Sequence, residues 1–264
     1  MGIRIYQVDS FTNEPFKGNP AGVCILKEPA DDAWMQHVAA EMNLSETAFV
    51  RRRANEEFDL RWFTPAVEVD LCGHATLATA HILWEIESLS PNEQARFHTA
   101  SGLLTADRRG GRIELNFPAN PAEAIEPPDG LLGALGVAAT YVGRTCFDYL
   151  VEVEDASTVR NAAPDFRELK RFGVRGVMLT ARGDDEFDFV SRFFAPGAGV
   201  DEDPVTGSAH CALAPYWADK LGHDEVAGYQ ASARGGIVYC RVAGDRVLLS
   251  GHAVTVLRGE LAGI

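Results

Sequence analysis

The stretch RWFTPAVEVDLCGHATLATAHILW, residues 61–84, reads against RFFAPGAGVDEDPVTGSAHCALAPYW, residues 192–217. Each runs from an Arg-aromatic-Phe segment through a proline and a Val-Asp pair into a glycine-led, alanine-rich helical pattern, with Cys72-Gly73-His74 aligned to Thr206-Gly207-Ser208. An ordered match of this kind marks an internal duplication, and two like halves predict a cleft between them. Outward from the repeat, residues 3–8, 58–63, 112–117, 187–193 and 247–256 mix β-branched, aromatic and polar residues in near alternation and predict strands. Helical patterns cover 31–42, 73–87, 165–172 and 207–221, the first closing at Asn43 and the last at Gly222 as C-cap residues. Many strands and few helices predict an α+β fold. The aperiodic run PANPAEAIEPP, residues 118–128, predicts a linker. It divides the chain into halves 1–118 and 119–264, with the C-terminal strand able to return to the first half.

Bulk properties narrow the function. A chain of 264 residues, 46% hydrophobic and 23% charged, is long enough to bury a substantial core. Its formal charge of −14 repels phosphate backbones and anionic headgroups, which leaves small molecules as partners rather than nucleic acid or membrane. Five cysteines without a C-x-x-C pair predict reduced thiols and a cytoplasmic setting. The N-terminus alternates like a strand rather than a signal peptide, and no apolar run is long enough to span a bilayer.

Both repeats place glycine and small polar residues at a helix start, where free N–H groups and the helix dipole favour an anion. Gly73, Gly207 and Ser208 are therefore candidates for holding a carboxylate, against the plainer alternative of close packing and N-capping. Glu46 follows a helix stop at the head of a strand, sharing a face with Ala48 and Val50. Partial desolvation there would suit a carboxyl that takes and returns a proton, although context alone favours an exposed strand-edge glutamate. His74 sits over the first helix start and Asp203 precedes the second; each reads as a cap or as a group that grips substrate. Asp201, Glu202 and Asp203 lack the spaced partners a metal site needs, and His74, His81, His210 and Cys211 do not supply them, so no metal is expected. Cys72 could belong to a two-thiol racemase, but the matching position is Thr206, whose hydroxyl is too weak an acid to replace a thiol.

Together, Ser10 to Gly22 with its Gly18-Asn19-Pro20 turn, Ser45-Glu46-Thr47, Cys72-Gly73-His74-Ala75-Thr76 and Glu202-Asp203-Pro204-Val205-Thr206-Gly207-Ser208 resemble the phenazine-biosynthesis PhzF-like isomerases. The resemblance implies the diaminopimelate-epimerase fold, two pseudo-symmetric halves that each wrap a mostly antiparallel β-barrel around a central helix. It also implies a cofactor-free homodimer that shifts a proton on a small carboxylate-bearing substrate, as in isomerisation of trans-2,3-dihydro-3-hydroxyanthranilate. By motif match the proton carrier is Glu46, supported by His74 and Asp203, with Asn19, Ser45, Gly73, Gly207 and Ser208 at the substrate. An amino-acid racemase or epimerase, or a non-catalytic binding protein on the same fold, are the competing readings.

Overall fold

The structure, a computed structural model, describes residues 2–184 and 186–262. Residues 1 and 264, the outer bounds of the two expected halves, lie outside them. The chain divides into two compact units, Met1–Asn116 with Ser250–Ile264, and Phe117–Leu249.

The first unit contains β1 (Ile3–Ser10), β2 (Asn19–Leu26), α1 (Asp32–Met42), β3 (Glu46–Arg52), β4 (Phe58–Phe63), β5 (Glu68–Val69), α2 (Gly73–Glu85), β6 (Ala95–Thr99), β7 (Gly102–Arg109) and β8 (Arg112–Pro118). In the second lie β9 (Glu123–Ala124), α3 (Leu131–Leu135), β10 (Ala139–Arg144), β11 (Asp148–Val153), α4 (Ala156–Asn161), α5 (Phe166–Leu169), β12 (Gly176–Arg182) and β13 (Phe189–Ala195). It continues through β14 (Val200–Asp203), α6 (Gly207–Leu221), β15 (Glu225–Gln230), β16 (Gly236–Ala243) and β17 (Arg246–Gly251), before β18 (Ala253–Leu261) returns to the first unit and pairs antiparallel with β1. The fold is α+β, as the alternation predicts.

The duplication is visible in the hydrogen-bond ladders. In the first unit β1–β2 is antiparallel, β2–β3 parallel, β3–β4 antiparallel, β4–β5 antiparallel, β4–β6 parallel and β6–β7 antiparallel. In the second, β10–β11, β11–β12, β12–β13, β13–β14, β13–β15 and β15–β16 repeat that series in the same order. An ion pair is repeated too: Arg61 donates through Nε and Nη2 to Glu68 at 2.7 Å each, and Arg192 through the same atoms to Glu202 at 2.7 and 2.8 Å. Both guanidiniums lie over a phenylalanine, Phe63 at 5.2 Å and Phe194 at 4.8 Å. Register refines the sequence match: Phe63 opposes Glu68 and Phe194 opposes Glu202, so Val69 corresponds to Asp203 rather than to Val200. The longer connection before β14 displaces the apparent Val-Asp pair.

Each unit has one long helix buried on nearly every side. In α2 the residues from His74 to Ala80 are all buried, along with Ile82, Leu83 and Trp84. A helix apolar all round belongs inside a core. Its polar members bond backward, Thr76 Oγ1 donating to the Cys72 carbonyl at 2.6 Å and Thr79 Oγ1 to the Ala75 carbonyl at 2.7 Å. In α6, Pro215 cannot donate to the Cys211 carbonyl. The Asn120 N–H takes that carbonyl at 2.9 Å, which fastens part of the run expected to be a linker. Further along that run, β9 pairs with β10.

Candidate active site

Glu46 is the first residue of β3, delivered there by Asn43, whose left-handed backbone (φ 50°, ψ 38°) ends α1. Parallel pairing with Ala21 on β2 fixes its height in the sheet. Asn19 starts β2 and is fully buried. Gly18 before it has φ +63°, and a Cβ there would meet the Ser10 carbonyl oxygen at 2.1 Å, so only glycine allows the turn. Pro20 after it holds Asn19 extended. His74, the second residue of α2, completes the group.

His74 Nε2 and Glu46 Oε2 are 3.2 Å apart. The alignment is poor enough that Nε2 forms no hydrogen bond, although the separation is short enough for one. Contacts of this sort commonly tighten only once substrate is bound. On the other side of the ring, Nδ1 is 3.3 Å from Asn19 Nδ2 and 3.5 Å from Cys72 Sγ, and Ser45 Oγ donates to Asn19 Oδ1 at 3.0 Å. Ser10 Oγ donates to the His74 carbonyl at 2.8 Å and pins the helix start. Burial depresses the His74 pKa to about 3, so the imidazole is neutral at physiological pH. Glu46, Cys72 and His74 bring ligand atoms within 4.8 Å of one another. The glutamate lies nearest Nε2 and the thiol nearest Nδ1 of the ring.

The second unit arranges Asp203, Thr206, Gly207 and Ser208 at the start of α6. Thr206 occupies the N-cap position but makes no side-chain cap; its Oγ1 donates to Asp203 Oδ2 at 2.5 Å. Cys72 likewise leaves α2 without a side-chain cap. Gln230 accepts from the Thr206 N–H at 2.9 Å and donates to the Asp203 carbonyl at 2.7 Å. Ser208 Oγ accepts from Arg175 Nη1 at 2.9 Å, and Arg175 is held bidentately by Asp148, which is 1% exposed. Burial opposes the Arg175 charge, but Asp148 and, more weakly, Asp203 outweigh it and raise its pKa above the ordinary value. Because the cation occupies an Oγ lone pair, the Ser208 hydroxyl proton is left to point at an acceptor.

Within the first unit Glu46, His74, Asn19, Ser45 and Gly73 are brought together, and within the second Asp203, Gly207 and Ser208. Sequence reasoning missed Arg175, Asp148 and Gln230. No local pattern marks them, since each reaches the helix start from a distant strand or loop.

The family model described as phenazine biosynthesis-like protein matches residues 8–259. An uncharacterized isomerase of Halalkalibacterium halodurans is 53% identical over 97% of each chain. The crystal structure of a phenazine biosynthesis protein of the PhzF family from Enterococcus faecalis is 40% identical, with a TM-score of 0.94 over 99% of each chain. A probable proline racemase from Agrobacterium radiobacter shares the fold at 14% identity, with a TM-score of 0.64 over 98% of this chain and 93% of that one.

Proposed function

The chain belongs to the phenazine biosynthesis-like family, and on that premise we propose that it is an isomerase in which Glu46 moves a proton on a small carboxylate-bearing substrate. The observation that carries the reading is Glu46 Oε2 placed 3.2 Å from the Nε2 of a buried, neutral imidazole. A neutral donor steadies a carboxylate without adding a charge that the substrate would have to compensate. Uncapped N–H groups at the helix starts and the Arg175-backed Ser208 hydroxyl supply donors for a substrate carboxylate. Glu46 removes a proton from a carbon activated by its neighbours, while Asp203 and His74 hold the polar groups of the substrate. It then returns the proton to a nearby carbon on the same face, since one carboxyl reaches only atoms within about 3 Å of its oxygens. Isomerisation of a compound like trans-2,3-dihydro-3-hydroxyanthranilate is a step of that kind. A two-thiol racemase is disfavoured by Thr206, which holds the position matching Cys72 and spends its hydroxyl on Asp203.

The test is deuterium uptake in D₂O, followed by NMR after chelator treatment, with that compound and a panel of amino and hydroxy acids. Exchange at two different carbons of one substrate that is lost in Glu46→Gln, by a factor of about 10² or more, supports the isomerase. Exchange confined to one stereocentre would replace it with a racemase. Binding of these acids without exchange would point to a non-catalytic protein.

A further inference from the structure

Asn19 stands among the substrate-side residues of the family motif, yet in this chain its amide is fully buried and turned toward other protein groups. A buried amide must place both its oxygen and its NH₂ against complementary partners. Here the oxygen faces Ser45 Oγ at 3.0 Å and the NH₂ faces His74 Nδ1 at 3.3 Å. A serine hydroxyl can donate or accept, so that end alone leaves the amide free to flip.

The far side of the imidazole removes the ambiguity. Glu46 as a carboxylate can only accept, so a bond that tightens across the 3.2 Å gap needs its proton on Nε2. In a neutral ring Nδ1 is then bare and needs donors. Both of its neighbours can supply one: the Asn19 NH₂ and, more weakly, the Cys72 thiol at 3.5 Å. The opposite tautomer would set an Nδ1–H against the amide and thiol and turn a bare Nε2 lone pair onto the carboxylate. One polarity therefore satisfies the whole series, from the Ser45 hydroxyl through the Asn19 amide and the His74 ring to Glu46.

We infer that Asn19 is a positioning residue: through its amide it fixes His74 as the Nε2–H tautomer, so that the ring presents a donor to Glu46 throughout the reaction cycle. This deepens the reading of Glu46 as the proton carrier and rests on it for its catalytic meaning, although the tautomer itself is observable without substrate. When Glu46 takes a proton, its second oxygen still accepts from Nε2, and the ring has no need to change form. Cys72 becomes a hydrogen-bond donor to the ring rather than a proton carrier. The Gly18 turn and Pro20 have a purpose in this scheme, since they hold the amide plane that sets the tautomer.

The experiment is long-range ¹H–¹⁵N correlation on the full chain labelled with ¹⁵N-histidine. The His74 signals are assigned by their absence from His74→Gln, and the other six histidines report on folding. The expected pattern at neutral pH is a protonated Nε2 and a bare Nδ1. Asn19→Asp places a carboxylate at Nδ1 and is expected to convert the ring to the Nδ1–H tautomer or to imidazolium. Asn19→Ala, which removes the amide without adding a charge, is expected to give a mixture of tautomers, which serves if Asn19→Asp does not fold. A wild-type ring in the Nδ1–H form, or an unchanged Nε2–H pattern in whichever variant folds, overturns the inference. Because these spectra use neither substrate nor turnover, that failure is separate from loss of the Glu46 reading, which deuterium exchange decides.

Discussion

Helix α2 starts with Cys72-Gly73-His74 and α6 with Thr206-Gly207-Ser208, and behind these two starts the units place groups of different character. Around α2 stand a carboxylate and a neutral imidazole whose ring is met by an amide and a thiol. Around α6 stand a hydroxyl and a guanidinium, locked to a carboxylate that is almost fully buried. The first set suits moving a proton and the second suits holding an anion. Duplication supplied two equivalent scaffolds, and substitution at a few positions around each helix start gave the two starts different chemical surroundings.

Breaking the second arrangement gives the largest expected effect after loss of Glu46. Arg175→Met leaves the Asp148 charge buried and unpaired, at a cost of about 3–5 kcal/mol in urea unfolding. Asp148→Asn combined with Arg175→Met restores most of that stability. It still weakens substrate binding roughly tenfold, as for loss of a charge-assisted hydrogen bond of about 1.4 kcal/mol. A double variant with wild-type KM would detach Arg175 from the anion site.

The repeated Arg-Glu pair sharpens the comparison at smaller scale. Arg192 and Glu202 are 13% and 20% exposed, against 36% and 39% for Arg61 and Glu68. Arg192 also donates to the Ala162 carbonyl at 2.6 Å. Arg192→Met is expected to lower stability by about 2–3 kcal/mol and Arg61→Met by no more than about 1 kcal/mol. Equal costs in chemical unfolding would mean that burial does not distinguish the two copies.

The smallest effect concerns the residues one turn into each helix. Thr76 in α2 and His210 in α6 correspond, and each bonds back to the carbonyl of its N-cap residue, at 2.6 and 2.8 Å. Burial lowers the His210 pKa to about 4. The folded ring stays neutral while the unfolded one takes a proton below its ordinary value of about 6.5, so stability falls as pH drops from there toward 4. His210→Thr, the first copy's solution, is expected to lose a little stability at pH 7 through the cavity it leaves. Its urea midpoint should fall less between pH 7 and pH 5 than that of the wild type. An unchanged slope would show that the ring takes up its proton at the same pH in the folded and the unfolded chain.

Much of the scaffold was legible in the sequence because alternation and capping are local. Residues 58–63 form β4 over that same span, and Asn43 and Gly222 cap the helices they end, while Asp31, read as the first helical residue, is the N-cap. Residues 247–256 read as one strand but form the ends of two. The interruption at His252 comes from Phe11 and Thr12, whose N–H groups take its carbonyl at 2.8 and 3.3 Å, a contact no local pattern announces. The helix expected over 165–172 shrinks to one α turn followed by a 3₁₀ turn that ends at left-handed Gly173. At the candidate site, motif spacing marked the residues on the helix starts themselves. The groups that orient them were hidden: Arg175 reaches Ser208 from another part of the chain, and nothing in a Gly-Asn-Pro turn reveals that the asparagine is fully buried.

The pairing of β1 with β18, from Ile3 opposite Leu261 to Ser10 opposite Ala253, also bears on how the molecule is made. The second unit is an unbroken stretch of chain that can condense while still emerging from the ribosome. The unit holding Glu46 must wait for a partner strand translated after that entire stretch, a closure of high contact order and therefore slow. During synthesis, the unit that carries Arg175 and Ser208 is finished before the unit that carries Glu46 and His74 is sealed.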